Sequence, residues 1–555
     1  QLSGHPVIYD VIPQNGRFSK TVLAHPEIAR WIDVNFLIDE ISKSINEAVE
    51  SLNKEFDEDD VTIVKNIYKT TLKSGSADLS SEFMPIYDAF TEKLQEKRKE
   101  LTTQMTTKEQ QKKLQKRVID IVARIEGVKS DKIKHDKDIT KRGEIIDTLI
   151  NEGLWTIPDG AWCSSGIPIF EKMSEGGAYP IFKNYNAKGE DVSKYADSDC
   201  ETPYYFVYLE NGDYNLPVIN IYLALLQDLQ EEYNFDGFRI SNTDFVVDEM
   251  SEKELRPISY RMPRFLLKKI NEIMKKKIPY FATIAEYRLW NSYFKEYHQD
   301  MNFDVLWGND TKTDYEKKPS EVIANNRELQ DYNDSLYGNS LLSILKTYNN
   351  QDGEFEAIDR YPAQLGRDGA LFKWFKYKFL PGGRNAQRSM LYIDGDESYT
   401  ETGIEEVIGS EIAMKRNSDE EFFKKFDAID RFVKNCDIVT DGEAHIIRQD
   451  EDGFVAWQII KTIESKEALL IMANYSSPTE KFLIEENDSS YTEIREGREV
   501  FDKTIVIPCD YQLMAEYKFN GTDYVPENLQ EPMTEITMNK LMPAEYKIYL
   551  MNRVN

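Results

Sequence analysis

Cysteine and histidine are scarce in this chain: four Cys (Cys163, Cys200, Cys436, Cys509) and five His among 555 residues. That density is far below a disulfide scaffold, and no Cys falls in a CxxC or Cys/His metal spacing, so no metal centre is legible. The cysteines set no redox compartment; Cys163 and Cys200 share a loop-rich stretch and could pair only if the protein is secreted. Long hydrophobic runs are also missing. Mean hydropathy is −0.57 and no stretch approaches the roughly 18 apolar residues of a membrane-spanning helix. Positive charge is deficient, 69 Lys and Arg against 98 Asp and Glu, for a net charge of −29. A field of that sign repels phosphate backbones and anionic bilayers, which excludes nucleic acid and membrane surfaces as natural partners. The sequence reads as soluble, with the cytoplasm favoured over secretion. It begins at Gln1 with no charged segment leading into an apolar one, which suits a removed leader or a longer parent protein.

What is present is length and aromatic surface. At about 100–200 residues per domain, the chain accommodates one large domain and one or two smaller ones. Pro6–Ile12 is apolar and β-branched and reads as a buried strand ending in the loop signal Pro13-Gln-Asn-Gly16. From about Leu37 to Leu149, Lys and Glu crowd between apolar residues at helical intervals, the pattern of a solvated helical insertion. Residues 155 to 216 are rich in Gly, Pro, Tyr, Asp and Asn, as in a loop excursion over an active face. Then helix and strand alternate: helix 218–233, strand 235–240, helix 264–277, strand 280–285, a helix near 341–348 and a strand 390–393. Repeated units of this kind predict a parallel α/β sheet and, at this length, a barrel. After a helix at 420–434 come short alternating runs at 454–460, 468–473, 504–507 and 546–550, which predict an antiparallel β-sandwich.

Catalytic groups in such a barrel sit at the carboxyl ends of strands. Four polar residues occupy such places: Asp10 in Tyr-Asp-Val-Ile-Pro-Gln-Asn15, Arg239 in Gly-Phe-Arg-Ile-Ser241, Glu286 in Ala-Thr-Ile-Ala-Glu-Tyr-Arg-Leu-Trp290, and Asp352 in Asn-Asn-Gln-Asp-Gly353. Singly, each is most simply a loop cap or the partner of a nearby Arg. As an ordered set, joined by Met390-Leu-Tyr-Ile-Asp-Gly-Asp-Glu397, they resemble the strand-end motifs of the α-amylase family, glycoside hydrolase family 13. The resemblance spans about residues 1–37 and 151–555 and leaves the insertion outside.

The resemblance implies a (β/α)8 barrel over residues 1–37 and 151–438, interrupted by a charged helical insertion at 38–150 and followed by a β-sandwich domain at 439–555. It implies retaining chemistry on α-glucans or α-glucosides, in which one carboxylate is the nucleophile and a second, about 5–5.5 Å away, is acid and then base. Glu286 is then the acid/base, its pKa kept up by the apolar neighbours Ile284, Tyr287 and Trp290. Asp352 stabilises the transition state, Arg239 holds the nucleophile ionised, and Asp10 supports the floor of the site. Gln14, Asn15, Gln351, Tyr287 and Trp290 complete the expected sugar contacts, with Trp155, Trp162 and Trp307 as further stacking faces that equally suit ordinary packing.

The sequence departs from the family pattern at the decisive place. The nucleophile position holds Ser241 instead of Asp, and a serine hydroxyl without an adjacent base is a poor nucleophile near neutral pH; Asp244 lies three residues too far along to replace it. Two readings stand: an active enzyme carrying an Asp-to-Ser substitution, favoured by the persistence of Arg239, Glu286 and Asp352, or an inactive barrel that binds carbohydrate or acts as a scaffold. The family's histidines are replaced by Asn15 and Gln351, and Phe245 stands where a further His is usual. The usual calcium-binding Asn is replaced as well, which lowers the case for a structural Ca²⁺ without removing it, and no other cofactor is expected. If Asp10 ends the third barrel strand, two strands precede this chain or come from another segment. Phosphorolysis would need basic residues at the acceptor side, and Arg288 alone is thin support. His298 and Asp304 have no metal spacing. The expected partner is an oligosaccharide or α-glucan, and the insertion is a candidate oligomerisation element.

Overall fold

The computed structural model describes residues 4–74, 80–105, 107–156, 201–208, 212–241, 243, 262–286, 294–308, 318–336, 341–347, 361–381, 388–391, 420–476, 478–486, 489–508 and 510–554. The chain divides into two compact units, Gln1–Phe281 and Ala282–Asn555. No helix among the described residues is long and apolar enough to cross a membrane.

The first unit opens with β1 (Ile8–Val11) and β2 (Gln14–Gly16). A short helix α1 (Lys20–Ala24) follows, capped by the Ser19 hydroxyl, which accepts from the Val22 amide. Strand β3 (Trp31–Asp33) then leads into the helices α2 (Val34–Leu52), α3 (Glu58–Ser74), α4 (Met84–Met105), α5 (Lys108–Glu126) and α6 (Arg142–Asn151). The chain returns through β4 (Leu154–Thr156), which pairs antiparallel with β3. Departure and return are thus clipped together. Gly153, at φ +73°, lies against Asn35, and a Cβ there would meet that side chain at 2.6 Å, so the clip requires glycine. Asp33 caps α2 by accepting from the Phe36 amide at 3.0 Å and also receives Arg117 Nη1 at 2.6 Å. Helix α5 begins at the Thr107 cap and ends at Gly127 in the left-handed conformation.

The buried Gln111 of α5 completes the other edge of β3. Its amide nitrogen donates to the carbonyls of Trp31 (2.8 Å) and Met105 (2.7 Å), and its oxygen accepts from the Trp31 amide at 2.8 Å. The side chain does for β3 what a neighbouring strand would do, satisfying backbone groups that burial would otherwise strand.

Beyond the insertion come β5 (Glu201–Pro203), paired antiparallel with β2, and α7 (Leu216–Tyr233), which carries Pro217 in its first turn and is capped by Asn234 at φ 53°. Next are β6 (Gly237–Ile240) and α8 (Arg264–Lys277). β1 pairs parallel with β6, and the register sets Asp10 opposite Arg239. Pro6–Ile12 contains a strand, though not a buried one. Ile8 and Tyr9 are each 37% exposed and only Val11 is buried; Tyr9 stacks instead on Phe235, centroid to centroid 4.7 Å.

The second unit begins with four parallel strands, β7 (Ala282–Glu286), β8 (Val305–Gly308), β9 (Ser343–Thr347) and β10 (Arg388–Leu391), paired in that order. Interleaved are α9 (Phe294–Gln299), α10 (Pro319–Asp334) and α11 (Tyr361–Lys378). The helix expected near 341–348 is β9. Leu342 and Ile344 are buried, and the strand pairs on both sides, so sheet hydrogen bonds on two edges outweigh the run's ambiguous periodicity. β8, α9, α10 and α11 escaped the sequence reading.

Helices α12 (Glu420–Asn435) and α13 (Asp437–Asp441) lead into an antiparallel sheet domain. Its strands are β11 (Glu443–Gln449), β12 (Phe454–Ile460), β13 (Glu467–Asn474), β14 (Thr479–Glu486), β15 (Ser489–Glu496), β16 (Val500–Val506), β17 (Tyr511–Phe519), β18 (Tyr524–Met533), β19 (Glu535–Leu541) and β20 (Tyr546–Arg553). Six form one sheet in the order β11-β12-β13-β20-β17-β18, while β14·β15 and β16·β19 are two-stranded ribbons. β13 is buried on both faces. Leu469, Ile471 and Ala473 join a core with Trp374, Phe375 and Phe426 of α11 and α12, and Ala468, Leu470 and Met472 join a second core with Val500, Ile505 and Leu541 of the β16·β19 ribbon. Period-two alternation divides one apolar run between two layers. The Trp457 indole donates to the Phe379 carbonyl at 2.6 Å and ties α11 to the sheet.

Two outcomes follow for the first unit. Gln111→Leu leaves the buried Trp31 amide and carbonyl unpaired, so urea unfolding followed by circular dichroism is expected to show a loss of about 3 kcal/mol. His25, 3.5 Å from Glu27, is raised above its usual pKa chiefly by its hydrogen bond to that carboxylate, with the Lys134 backbone adding to the effect against the opposing cost of burial. A raised folded-state value means that the contribution is full below pH about 6.5 and is lost as pH rises through the folded value. The stability difference between wild type and His25→Asn is therefore expected to be larger at pH 6 than at pH 8.5, measured by unfolding at both.

Candidate active site

Asp10, Arg239, Ser241 and Glu286 lie at the carboxyl ends of parallel strands. In the first unit, Asp10 stands one residue from the end of β1 and Arg239 one residue from the end of β6. Arg239 is 4% exposed, and its Nη1 donates to both oxygens of Asp10, at 2.9 and 3.1 Å. The Asp10 side chain is itself about half exposed. A guanidinium taken out of water needs a counter-charge at short range, and the facing register supplies it. Ser241 follows β6 directly. It is buried, and its amide donates to the Val11 carbonyl at 2.9 Å, extending the β1·β6 ladder by one bond past the strand. The Ser241 side chain thus projects from a backbone pinned just beyond the sheet, close in sequence to the Asp10–Arg239 pair.

Gln14 and Asn15 lie on β2, opposite Pro203 and Thr202 of β5. Both are half-buried. Beneath them is an aromatic group that the sequence reading did not single out. Tyr204 stacks on Phe206 at 5.5 Å and meets Tyr222 at 4.7 Å. Burial pushes the Tyr204 hydroxyl up to about 12, offset in part by the Asn15 side chain, and raises Tyr222 well above the ordinary tyrosine value. Both therefore stay neutral across the physiological range. The run Tyr204-Tyr-Phe-Val-Tyr208 was the available signal. Trp155 faces Arg17, whose guanidinium lies 5.0 Å from the indole centroid, so one of its faces is occupied from within the fold.

In the second unit Glu286 is the last residue of β7, 2% exposed, with Trp307 of β8 opposite it in register. Trp307 is half-buried. The β7·β8 register is held by Asp304, whose carboxylate accepts from the Thr283 amide (2.9 Å) and hydroxyl (3.0 Å). His298 Nδ1 is 2.8 Å from the Tyr332 hydroxyl. These two residues have structural partners. No cluster of three or more His, Cys, Asp or Glu suited to a metal ion occurs among the described residues. Cys436 is a free thiol, its pKa raised by burial. Asp352, Gln351, Tyr287, Trp290, Arg288, Trp162, Asp244, Phe245, Cys163, Cys200 and Cys509 lie outside the described residues.

No family model matches the chain, and no curated protein does either. Among solved structures it is similar to an Anoxybacillus α-amylase at 14% identity and a TM-score of 0.37, covering 61% of this chain and 64% of that one. It is similar also to the trehalose-6-phosphate hydrolase of Bacillus licheniformis (11% identity, 69% of this chain and 79% of that one, TM-score 0.36). A third is the isomaltulose synthase of Erwinia rhapontici (9%, 64% and 70%, TM-score 0.37). The chain thus spans just under two thirds of the length of the amylase. Likeness at these TM-scores carries no argument for activity.

The Asp10–Arg239 pair has a measurable strength. Because Asp10 is half exposed, solvent screens the pair, and a double-mutant cycle of Asp10→Asn with Arg239→Met is expected to give a coupling of about 1 kcal/mol in chemical unfolding.

Proposed function

We propose that the chain is built as a retaining α-glycoside hydrolase or transglycosylase acting on α-glucans or α-glucosides, with its nucleophile position occupied by Ser241. The observation that carries this reading is the buried Arg239, bound to Asp10 at the carboxyl ends of two parallel strands, with residue 241 fixed immediately beyond it. In such an enzyme a carboxylate at position 241 attacks the anomeric carbon while a protonated Glu286 gives its proton to the departing oxygen. The glycosyl ester then passes to water or to a sugar hydroxyl, with Glu286 now acting as base. Asp352 stabilises the positive charge that develops on the sugar ring, and Arg239 keeps the nucleophile ionised. Gln14, Asn15, Gln351, Tyr287 and Trp290 serve as sugar contacts. The architecture that goes with this reading is a (β/α)8 barrel closed around these strand ends, with the C-terminal sheet domain as a β-sandwich and the charged helices as an insertion.

Ser241 itself favours a second reading. A serine hydroxyl has no carboxylate with which to form the glycosyl ester, and without an adjacent base it is a poor nucleophile, so the chain as it stands binds oligosaccharides and turns them over little or not at all. One comparison separates the two. Reducing-sugar release from α-glucans and from an aryl α-glucoside is measured for the full chain, for Ser241→Asp, and for Ser241→Asp combined with Glu286→Gln. The glycosidase reading expects activity in Ser241→Asp, silence in the serine form, and a loss of about 10²–10⁴-fold on adding Glu286→Gln. Silence in all three, with oligosaccharide binding retained, leaves the binding-protein reading.

A further inference from the structure

A cleft in the first unit, remote in sequence from every strand end discussed above, has a charge opposite to that of the chain. Its volume is about 670 Å³, and its walls are the residues after α1, one face of α5 and the segment 130–135. The lining holds Lys112, Lys116, Lys134, His25 and His135, five cationic or protonatable groups, against the single carboxylate of Glu27. A protein of net charge −29 with five histidines in all places two of them here.

The nearby acids are engaged in part by groups of the cleft itself, and Asp136 adds its charge beside His25. Asp120 accepts from Lys116 Nζ at 2.8 Å and from the Ser130 hydroxyl at 2.9 Å. Asp138 accepts from the backbone amides of Lys134 and His135, both at 3.0 Å. Glu27 faces His25. Among the described residues, neither the Lys112 nor the Lys134 ammonium has an ion-pair partner, and both side chains are exposed at the mouth of the cleft. Lys112 and Lys116 stand one turn apart on the same face of α5, where like charges repel. Asp120 already offsets the charge of Lys116, so the positive charge left without an ion-pair partner at the rim is that of Lys112 and Lys134. Below the charged rim the cleft is apolar, with Ala24, Pro26, Ile119 and Ile133 among its lining. The volume lies within the range of small-molecule sites and exceeds what a bare inorganic anion fills.

We propose that this cleft binds a small phosphate monoester, its phosphate held by Lys112, Lys134 and Lys116 and its carbon body set against the apolar floor. A dianion with several acceptor oxygens matches converging ammonium donors better than a carboxylate does, since each added oxygen accepts a further charge-assisted hydrogen bond. Protonated His25, favoured by Glu27, adds to the positive field. The inference is independent of the glycosidase reading, for no residue is shared between the two sites.

The test uses phenyl phosphate, inorganic phosphate and benzoate in calorimetric titrations of the full chain at low ionic strength. It is repeated with Lys112→Ala/Lys134→Ala and with Lys97→Ala, a lysine of α4 paired with Glu100 at 3.1 Å. The expected result is one saturable site for phenyl phosphate, with inorganic phosphate and benzoate each at least tenfold weaker. The double variant is expected to lose at least tenfold in affinity and Lys97→Ala to bind as wild type. Both lysines are exposed, so an unchanged melting midpoint in the double variant certifies its fold. Absence of saturable binding, equal loss in Lys97→Ala, or equal affinity for phenyl phosphate and benzoate overturns the proposal. Binding only to vesicles containing phosphatidic acid, and not to soluble phenyl phosphate, overturns it in favour of a lipid headgroup.

Discussion

A guanidinium removed from water must find an anion, and the satisfaction of Arg239 by Asp10 is the constraint on which the candidate site depends. The two residues are 229 positions apart in the chain. They meet because β1 and β6 run parallel in a register that sets one opposite the other. Slipping that register by one residue would turn every side chain of β1 to the opposite face and carry the Asp10 carboxylate away from the buried arginine, so the electrostatic demand and the sheet specify each other. Ser241 inherits its place from this arrangement, through the bond from its amide to Val11.

The same logic governs the long excursion between β3 and β4. Five helices rich in Lys and Glu leave the strand layer and return, and their base is tied by short elements: a three-residue strand pair, Gly153 against Asn35, Gln111 serving as a surrogate strand edge for Trp31, and Arg142 donating to the Phe18 carbonyl. Charge-rich helices bury few apolar groups per residue and depend on such fixed points for orientation. The insertion also builds one wall of the basic cleft, since α5 carries both Gln111 on its buried side and Lys112 and Lys116 on its exposed side. One helix thus anchors the excursion and supplies its concentrated positive charge.

The second unit illustrates the division of an apolar run. Ala468 to Ala473 reads as a hydrophobic stretch in which neither face is polar, and the structure gives alternate residues to a helix layer and a ribbon layer. In sequence, this strand was legible from its β-branched and aliphatic content. The segment 343–347 was not, because five residues of mixed character fit a helical turn or a strand equally well. Only the sheet edges offered by β8 and β10 decide between them. β8 escaped for a related reason: Val305-Leu-Trp-Gly308 is too short for any periodicity, and its position follows from Asp304 holding Thr283 on the neighbouring strand.

The sequence by itself determined the alternation of helix and strand on either side of β6 and β7, the charged character of the insertion and the antiparallel sheet at the C-terminus, and it offered the candidate groups at strand ends. It did so because these depend on local periodicity and on the functional groups of single side chains. The tertiary structure decided which of those groups touch: that Asp10 belongs to Arg239, that Asp304 and His298 serve the framework, that Gln111 completes a strand, and that lysines from α5 and the 130–135 segment converge in one cleft. Each of these rests on contacts between residues distant in the chain, where burial and pairing set the energy and no local pattern records them.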